Sequence, residues 1–230
     1  LCNACVNVPL DENGVLDNEL IEQSVYAVQQ IANITPRGEG NFNFTVNFNC
    51  KPFIPYFPAG YHLSHLPNSF VIGLETPDLL VEVLKSVPKS PHNQFYADCY
   101  RAMLQALQYH VDQVLDMLSA VKLSGEFEFA GIDSSAAPSK NCSSMTKVYE
   151  LMGLPYFGAA GSVEVSALLT KVFKSIKRVP LVGFSGLMLA VTEDLGLAEG
   201  TQKQYFDIRA LLTYSAVCGI GLDTVPVAGN

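Results

Sequence analysis

Asp133 and the residues after it have the types and spacing that best suit chemistry in this chain. Asp133 ends a β-rich run and is followed by Ser134 and Ser135. A carboxylate and two hydroxyls are therefore predicted at the carboxyl end of a strand, where the ligand sites of α/β proteins lie. Asp133 is our first candidate for proton transfer, and Ser134 is a candidate for ligand binding. The same pattern also fits an Asx-turn, in which Asp133 bonds to nearby backbone, and the sequence leaves both interpretations open.

A second candidate for proton transfer is His62, which lies in a loop of prolines and aromatic residues over 51–68. His65 follows three residues later, so the two side chains could also bind a metal if the loop folds over the site. No cysteine or glutamate stands at zinc-like spacing around them, and a hydrogen-bonded loop histidine is the alternative. We expect His62 to act as a general acid if this loop is functional.

Small residues before a predicted helix form a candidate anion site. Gly158, Gly161 and Ser162 place backbone amides and a hydroxyl at the positive end of that helix, which suits a phosphate or a carboxylate. Glu164 in the first turn opposes an anion there, and Ser162 could instead cap the helix in an ordinary turn. Asn49, at the end of a strand-like run over 44–49, is a further candidate for ligand binding.

Four carboxylates are candidate ligands of a divalent cation. Glu193 and Asp194 follow one apolar run and Asp223 precedes another, so with Asp133 they could meet at one rim. Carboxylate oxygens are the ligands that Mg²⁺ and Ca²⁺ prefer, and either cation is the cofactor that the sequence suggests. Helix and turn capping explains the same residues equally well.

The stretch GFSG over 183–186 is similar in composition to the nucleophile elbow of hydrolases, but it fails that pattern. The elbow requires a second glycine two residues after the serine, and Leu187 stands there. We therefore predict a tight backbone turn at 183–186 and no serine nucleophile.

The elements that must position these residues alternate between strand-like runs and helical patterns, which is typical of the α/β class. Predicted strands cover 2–8, 42–50, 69–74, 126–132, 182–191 and 222–227. Two predicted helices begin after Asp17 and Thr76 as N-caps, the second with Pro77 at its first position. Further predicted helices cover 93–122, 144–152, 162–177 and 204–218. No repeat or shift in composition divides the chain, so a single domain over 1–230 is expected.

Composition narrows the class of partner. Hydrophobic residues make up 49% of the chain and charged residues only 16%, which predicts a large interior or a subunit interface and hence a homo-oligomer. The net charge of -8 argues against a nucleic acid, which requires clustered Lys and Arg. Every apolar stretch is too short to span a membrane. The partners expected are therefore a small-molecule ligand and further copies of the chain.

Cysteines and glycosylation sequons point to different compartments. The six cysteines are scattered without the dense spacing of a disulfide framework, so reduced thiols and a cytoplasmic location are expected. Sequons at Asn33, Asn43 and Asn141 favour secretion instead, but such short patterns also arise by chance.

Four stretches in the carboxy-terminal half carry a resemblance to a known family. They are FAGIDSSAAPS over 129–139, YELMGLPYFGAAGSVEVSALL over 149–169, GFSGLMLAVTEDLGLA over 183–198 and AVCGIGLDTVPV over 216–227. In this order they resemble the domain-of-unknown-function 711 family, also called uncharacterised protein family 0210. The stretches CVNV over 5–8, FTVNFN over 44–49, AGYH over 59–62 and FVIGLETPDLL over 70–80 extend the likeness into the amino-terminal half.

The resemblance implies a fold and a length. The family is similar to the pyruvate formate-lyase-like superfamily, which implies a ten-stranded α/β barrel with helices outside. It also implies that members are about twice this long, and that the first third of a member has no counterpart here. The barrel expected for this chain is therefore a partial one.

The family likeness does not carry a reaction, because one fold hosts many chemistries. Glycyl-radical catalysis is not expected, since no such signature surrounds Gly219, Gly221 or Gly229. We expect an enzyme that binds a small polar or anionic metabolite at the barrel rim. The alternative is a ligand-sensing or oligomeric assembly module without catalysis, which a packed rim and a broad apolar surface would favour.

Overall fold

The structure is a computed structural model that describes residues 3–61, 67–121 and 125–227, in which four short strands and seven α-helices occur. In chain order they are β1 (Ala4–Val8), α1 (Asn18–Ala32), β2 (Phe44–Phe48), β3 (Ser69–Gly73), α2 (Pro77–Lys85), α3 (His92–Ala120), β4 (Glu128–Asp133), α4 (Met145–Leu151), α5 (Ser162–Lys174), α6 (Leu195–Gln202) and α7 (Ile208–Cys218). A 3₁₀ segment, Pro36–Asn43, precedes β2. No helix in the described ranges has the length and apolarity that a membrane crossing requires.

The strands form two separate parallel pairs. Strand β1 pairs with β2, with Ala4 opposite Phe44, and β3 pairs with β4, with Ser69 opposite Glu128. Each pair needs a crossover because parallel strands cannot be joined by a hairpin. Helix α1 provides the first crossover, and α2 with α3 provide the second.

The predicted ten-stranded barrel is wrong. A barrel requires every strand to pair along both edges, whereas the described residues contain only two sheets of two strands each. The predicted strands at 182–191 and 222–227 are not strands. Just before the first of these, Leu181 makes a single bridge with Ile132 of β4. The chain then leaves the sheet because Gly183 and Ser185 take positive φ angles of 59° and 44°, which end an extended run.

Capping decides where several helices begin. Asp17 accepts a hydrogen bond from the Leu20 amide at 3.0 Å, which confirms the predicted cap of α1. The prediction of one helix over 204–218 is wrong at its start, because Asp207 caps α7 by accepting from the Ala210 amide at 2.9 Å. Helix α6, just before it, was not predicted.

The apolar core lies almost entirely between Leu80 and Cys218. The main buried cluster joins side chains of α2 to α7 with Ile132 of β4. A small second cluster contains Ala137, Met188 and Ala190. By contrast, the only buried side chains in residues 3–49 are Val8, Ser24 and Asn47. We call residues 3–49 the amino-terminal βαβ unit and residues 67–227 the core region.

The loop over 50–61 joins the two regions. On one side, Asn47 donates to the Ala59 carbonyl at 3.2 Å, and Asn7 donates to the Cys50 carbonyl at 3.1 Å. On the other side, the Tyr56 hydroxyl donates to the Leu74 carbonyl at 3.4 Å. Strands β1 and β2 and helix α1 otherwise pack mainly against one another and the 3₁₀ segment.

Candidate functional site

Asp133 ends β4 and is completely buried. Its Oδ1 atom accepts hydrogen bonds from the Ser135 amide at 3.0 Å, the Ser135 hydroxyl at 2.7 Å and the Ser185 amide at 3.0 Å. Its Oδ2 atom accepts from the Phe184 amide at 2.8 Å. The bond to Ser135 is the Asx-turn that the sequence offered as the alternative. Because both carboxylate oxygens are engaged by four internal donors, Asp133 fastens the end of β4 to the turn at 183–186.

The predicted tight turn at 183–186 is present, and its backbone closes around the Asp133 carboxylate. A side chain at Gly183 would overlap Asp133 Oδ2 and would also press on the Phe53 carbonyl, so this position admits only glycine without rearrangement. The Ser185 hydroxyl donates to the Val182 carbonyl at 2.8 Å. It is therefore held inside the turn and is not presented as a nucleophile.

The serines after Asp133 are also internal. Ser134 is buried, and its hydroxyl donates to the Phe173 carbonyl near the end of α5 at 2.8 Å. The Ser135 hydroxyl accepts from the Gly186 amide at 3.1 Å while it donates to Asp133. Together with the carboxylate they form a buried polar brace, by which we mean Asp133, Ser134, Ser135 and the turn at 183–186.

The glycine turn before α5 lies away from this brace. Ser134 meets α5 at Phe173, eleven residues beyond Ser162, which is about 16 Å along a helix. Gly161 occupies the N-cap position with a φ of 99°, and Ser162 is the first helical residue. The Ser162 hydroxyl accepts from the Gly158 amide at 3.0 Å and donates to the Ala159 carbonyl at 2.8 Å. The turn is thus closed on itself, and the interpretation of Ser162 as the N-cap is wrong.

Asp194 joins two helices. Its carboxylate accepts from the Met145 amide at 2.7 Å at the start of α4 and from the Leu197 amide at 3.1 Å in α6. The Ser144 hydroxyl donates to it as well. Asp194 therefore serves both helix N-termini, a role that favours a negative charge there.

The remaining carboxylates do not complete a metal cluster. Glu193 is exposed, and its pKa is raised by partial desolvation and then by the charge of Asp223. Asp223 accepts from the Thr224 amide at 2.6 Å. Within the ranges that the structure describes, no three His, Cys, Asp or Glu side chains come together as a metal site. The four predicted ligands therefore do not form one site, because Asp133, Asp194 and the pair Glu193 and Asp223 have separate partners.

Two other predicted site residues lie elsewhere. Asn49 is exposed just after β2 with a φ of 49°, and its backbone N–H donates to the Val8 carbonyl at 2.7 Å. It therefore ends the β1–β2 pair. His62 and its neighbour His65 lie outside the described residues, so His62 stays a prediction.

Two side chains that sequence reasoning missed stand beyond the end of β3. Burial raises the pKa of Tyr56, and the charges of Asp133 and then Glu75 raise it further. Thr76 precedes α2, as predicted, but makes no capping hydrogen bond. Its hydroxyl oxygen is buried and has no hydrogen-bond partner in the described part of the chain. Only the aromatic content of the loop hinted at Tyr56, and nothing in the sequence indicated the state of Thr76.

The parallel strand pairs and their crossover helices define an α/β protein. The polar brace at the end of β4 is part of its internal structure. The chain matches the family described as Uncharacterised ACR (DUF711) over residues 1–230, and it belongs to that family. The predicted family is thus confirmed.

Three curated relatives show the extent of the likeness. The UPF0210 protein of Pyrobaculum arsenaticum is 30% identical over 192 residues, which cover 81% of this chain and 42% of the relative. That of Pyrobaculum islandicum is 25% identical over 89% of this chain and 45% of its own length. That of Carboxydothermus hydrogenoformans is 23% identical over 99% of this chain and 51% of its own length. The chain spans about half the length of these relatives.

Proposed function

We propose that this chain is an assembly module whose amino-terminal βαβ unit binds a second copy of the chain. The observation that carries this proposal is the apolar surface of the unit. Six large apolar side chains in residues 17–49 are more than a third exposed. They are Val25, Tyr26, Val28, Ile34, Phe42 and Phe48. Exposed apolar side chains concentrated in one region are typical of interaction surfaces.

The sheet of this unit also lacks cover. Two-stranded sheets are marginal in water unless further strands or packed helices support them. Here α1 buries only Ser24, while Val25 of the same helix is 53% exposed. A partner that covered α1 and the sheet would supply the missing apolar contacts. The low charged fraction of the chain, 16%, is consistent with such an interface.

The internal saturation of the polar brace supports assembly over catalysis. A catalytic carboxylate must reach its substrate, but the Asp133 oxygens already accept from three amides and one hydroxyl. The brace thus stabilises the core region and leaves recognition to other surfaces.

Sedimentation velocity of the purified chain tests the proposal. Wild type should be a dimer, and the double variant Val25→Ser/Tyr26→Ser should be a monomer at the same concentration. The matched control is Leu212→Ser/Tyr109→Ser, because Val25 and Leu212 are each 53% exposed, and Tyr26 and Tyr109 are 63% and 61% exposed. A monomeric wild type, or equal dissociation by both double variants, would contradict the proposal.

A second function, binding of a small polar or anionic molecule at the ends of β3 and β4, is favoured by Thr76. A buried hydroxyl without a partner is rare in proteins and suggests that a ligand or water bonds to it. The isosteric variant Thr76→Val separates the cases in thermal unfolding with inorganic phosphate as the probe. If phosphate binds there, it should stabilise wild type and not the variant. If it stabilises neither, and the variant is more stable by about 1 kcal/mol, the hydroxyl is simply unpaired.

A further inference from the structure

We propose that the groove between α3 and α5 binds a small aromatic monocarboxylate. The groove has a volume of about 520 Å³, within the range of small-molecule sites. Its lining comprises Gln94, Tyr96, Ala97, Tyr100, Arg101, Ala167, Leu168 and Lys171. It lies on the outer side of the core region, and no part of the polar brace or of the βαβ unit contributes to it.

The apolar part of the groove arises from small residues between aromatic ones. Ala97 of α3 and Ala167 of α5 are exposed in the groove and have only a methyl group, so a depression remains between the helices. The half-buried rings of Tyr96 and Tyr100 and the side chain of Leu168 border this depression. An aromatic ring fits such walls, because offset and edge contacts between rings are favourable.

Lys171 supplies a positive charge at one end of the groove. Its ammonium lies 5.2 Å from the centroid of the Tyr100 ring. That ring is held through its hydroxyl, which donates to Ser175 Oγ at 2.9 Å. None of the ion pairs in the described ranges includes Lys171. A ligand carboxylate would therefore find an ammonium that is already positioned and not neutralised.

The other charges around the groove limit the ligand to one carboxylate. Arg101 is paired with Asp98, so its charge is already balanced. Glu164, Leu168 and Lys171 are spaced at i, i+4 and i+7 in α5 and so share one face of that helix. Glu164 also raises the pKa of the Tyr96 phenol further, after the larger effect of burial. A second carboxylate on the ligand would meet this negative end and would be repelled. A ring with a single acidic group satisfies both ends.

Isothermal titration with 3-phenylpropionate and with its neutral amide tests the proposal. Wild type should bind the acid about tenfold more tightly than the amide, because only the acid forms a charge-assisted bond with Lys171. The variant Lys171→Met should lose this preference and bind both probes alike. The control is Lys203→Met, because the Lys203 ammonium also lies over a tyrosine, 5.9 Å from the Tyr205 centroid, but outside the groove. The control should keep the wild-type preference.

A second variant tests the apolar part of the same site. Ala167→Leu keeps a strong helix former at an exposed position, so the fold should persist, but it fills the depression. It should reduce the affinity of both probes by about tenfold or more. Absence of saturable binding of the acid to wild type would overturn the proposal. So would an unchanged preference in Lys171→Met, or full affinity in a folded Ala167→Leu variant.

Discussion

The amino-terminal βαβ unit and the core region use the same arrangement of parallel strands in different ways. In both, a helical crossover joins two paired strands. In the core region, β4 ends in the buried Asp133 and six helices pack around a continuous apolar cluster. In the βαβ unit, the single helix α1 buries only Ser24 and leaves the sheet poorly covered, and only Val8 is a buried apolar side chain. A pair of parallel strands therefore does not determine stability alone, because stability depends on the elements that cover the pair.

The largest expected effect is that of Asp133→Ala, which removes the fastening of β4 to the turn at 183–186. Three amides, those of Ser135, Phe184 and Ser185, would lose their acceptor in a buried site. We expect a loss of about 4 kcal/mol in the free energy of unfolding, measured by urea denaturation. Asp223→Ala is the control, since within the described ranges that carboxylate accepts only from the adjacent Thr224 amide, and it should cost less than about 1 kcal/mol. Similar losses in both variants would refute the role of the brace.

The next effect concerns Asp194, which serves two helices of the core region. Asp194→Ala leaves the Met145 and Leu197 amides without their acceptor, and should cost about 2 to 3 kcal/mol. Asp207→Ala provides the comparison, because Asp207 is exposed and caps only α7. It should cost about 1 kcal/mol in the same urea experiment. Equal costs would mean that the second contact of Asp194 adds nothing.

The comparison between the two regions is sharpened by Val8→Ala and Ile132→Ala. Both side chains are fully buried in a strand, one in each region. Ile132→Ala should lower the main unfolding free energy by about 3 kcal/mol because it opens a cavity in the core. Val8→Ala should instead leave that transition within about 0.5 kcal/mol and accelerate amide hydrogen exchange only in β1 and β2. A loss of protection throughout the chain in Val8→Ala would show that the regions unfold together.

The smallest effect is a pH dependence at Glu193. The folded-state pKa of this carboxyl is raised, first by desolvation and then by Asp223, so its ionised form is disfavoured by folding. The penalty is absent below the ordinary glutamate pKa and appears as the pH rises through the raised value. Glu193→Gln should thus be slightly more stable than wild type at pH 7 and no different in acid, by thermal unfolding at several pH values. A Glu193→Gln variant that is less stable than wild type at pH 7 would contradict this prediction, because it would mean that the ionised carboxylate stabilises the fold.

Local signals in the sequence predicted local structure well. The Asp17 cap, the start of α2 at Pro77 and the tight turn at 183–186 follow from residues whose preferences act within a few positions. The apolar run over 182–191 wrongly predicted a strand, because its apolar residues are required by burial and not by strand pairing. The missed helix α6 begins after Asp194, which together with Glu193 was interpreted as a candidate metal ligand instead of a helix cap.

The candidate site could be located but not interpreted from sequence. The position of Asp133 at the end of β4 was predicted correctly. Its contact with Ser135 is the Asx-turn alternative. The other two donors were not predicted, because Phe184 and Ser185 are about fifty residues away and meet Asp133 only through the tertiary fold. The same limit applies to Ser134, whose partner is a carbonyl of α5. Spacing along the chain shows which groups can bond, while the packing of distant segments decides which ones do.

The contact between Gly183 and the Asp133 carboxylate has a consequence for how this sequence can drift. A side chain at position 183 would occupy the space of Asp133 Oδ2, and a shorter residue at 133 would leave the neighbouring amides unpaired. A substitution of Asp133 or of Gly183 alone therefore destabilises the fold, and a tolerated replacement would require both residues to change together. The effects of substitutions at these two positions, fifty residues apart, are thus coupled. A substitution scan should tolerate almost no single change at either position, while their exposed neighbours vary freely.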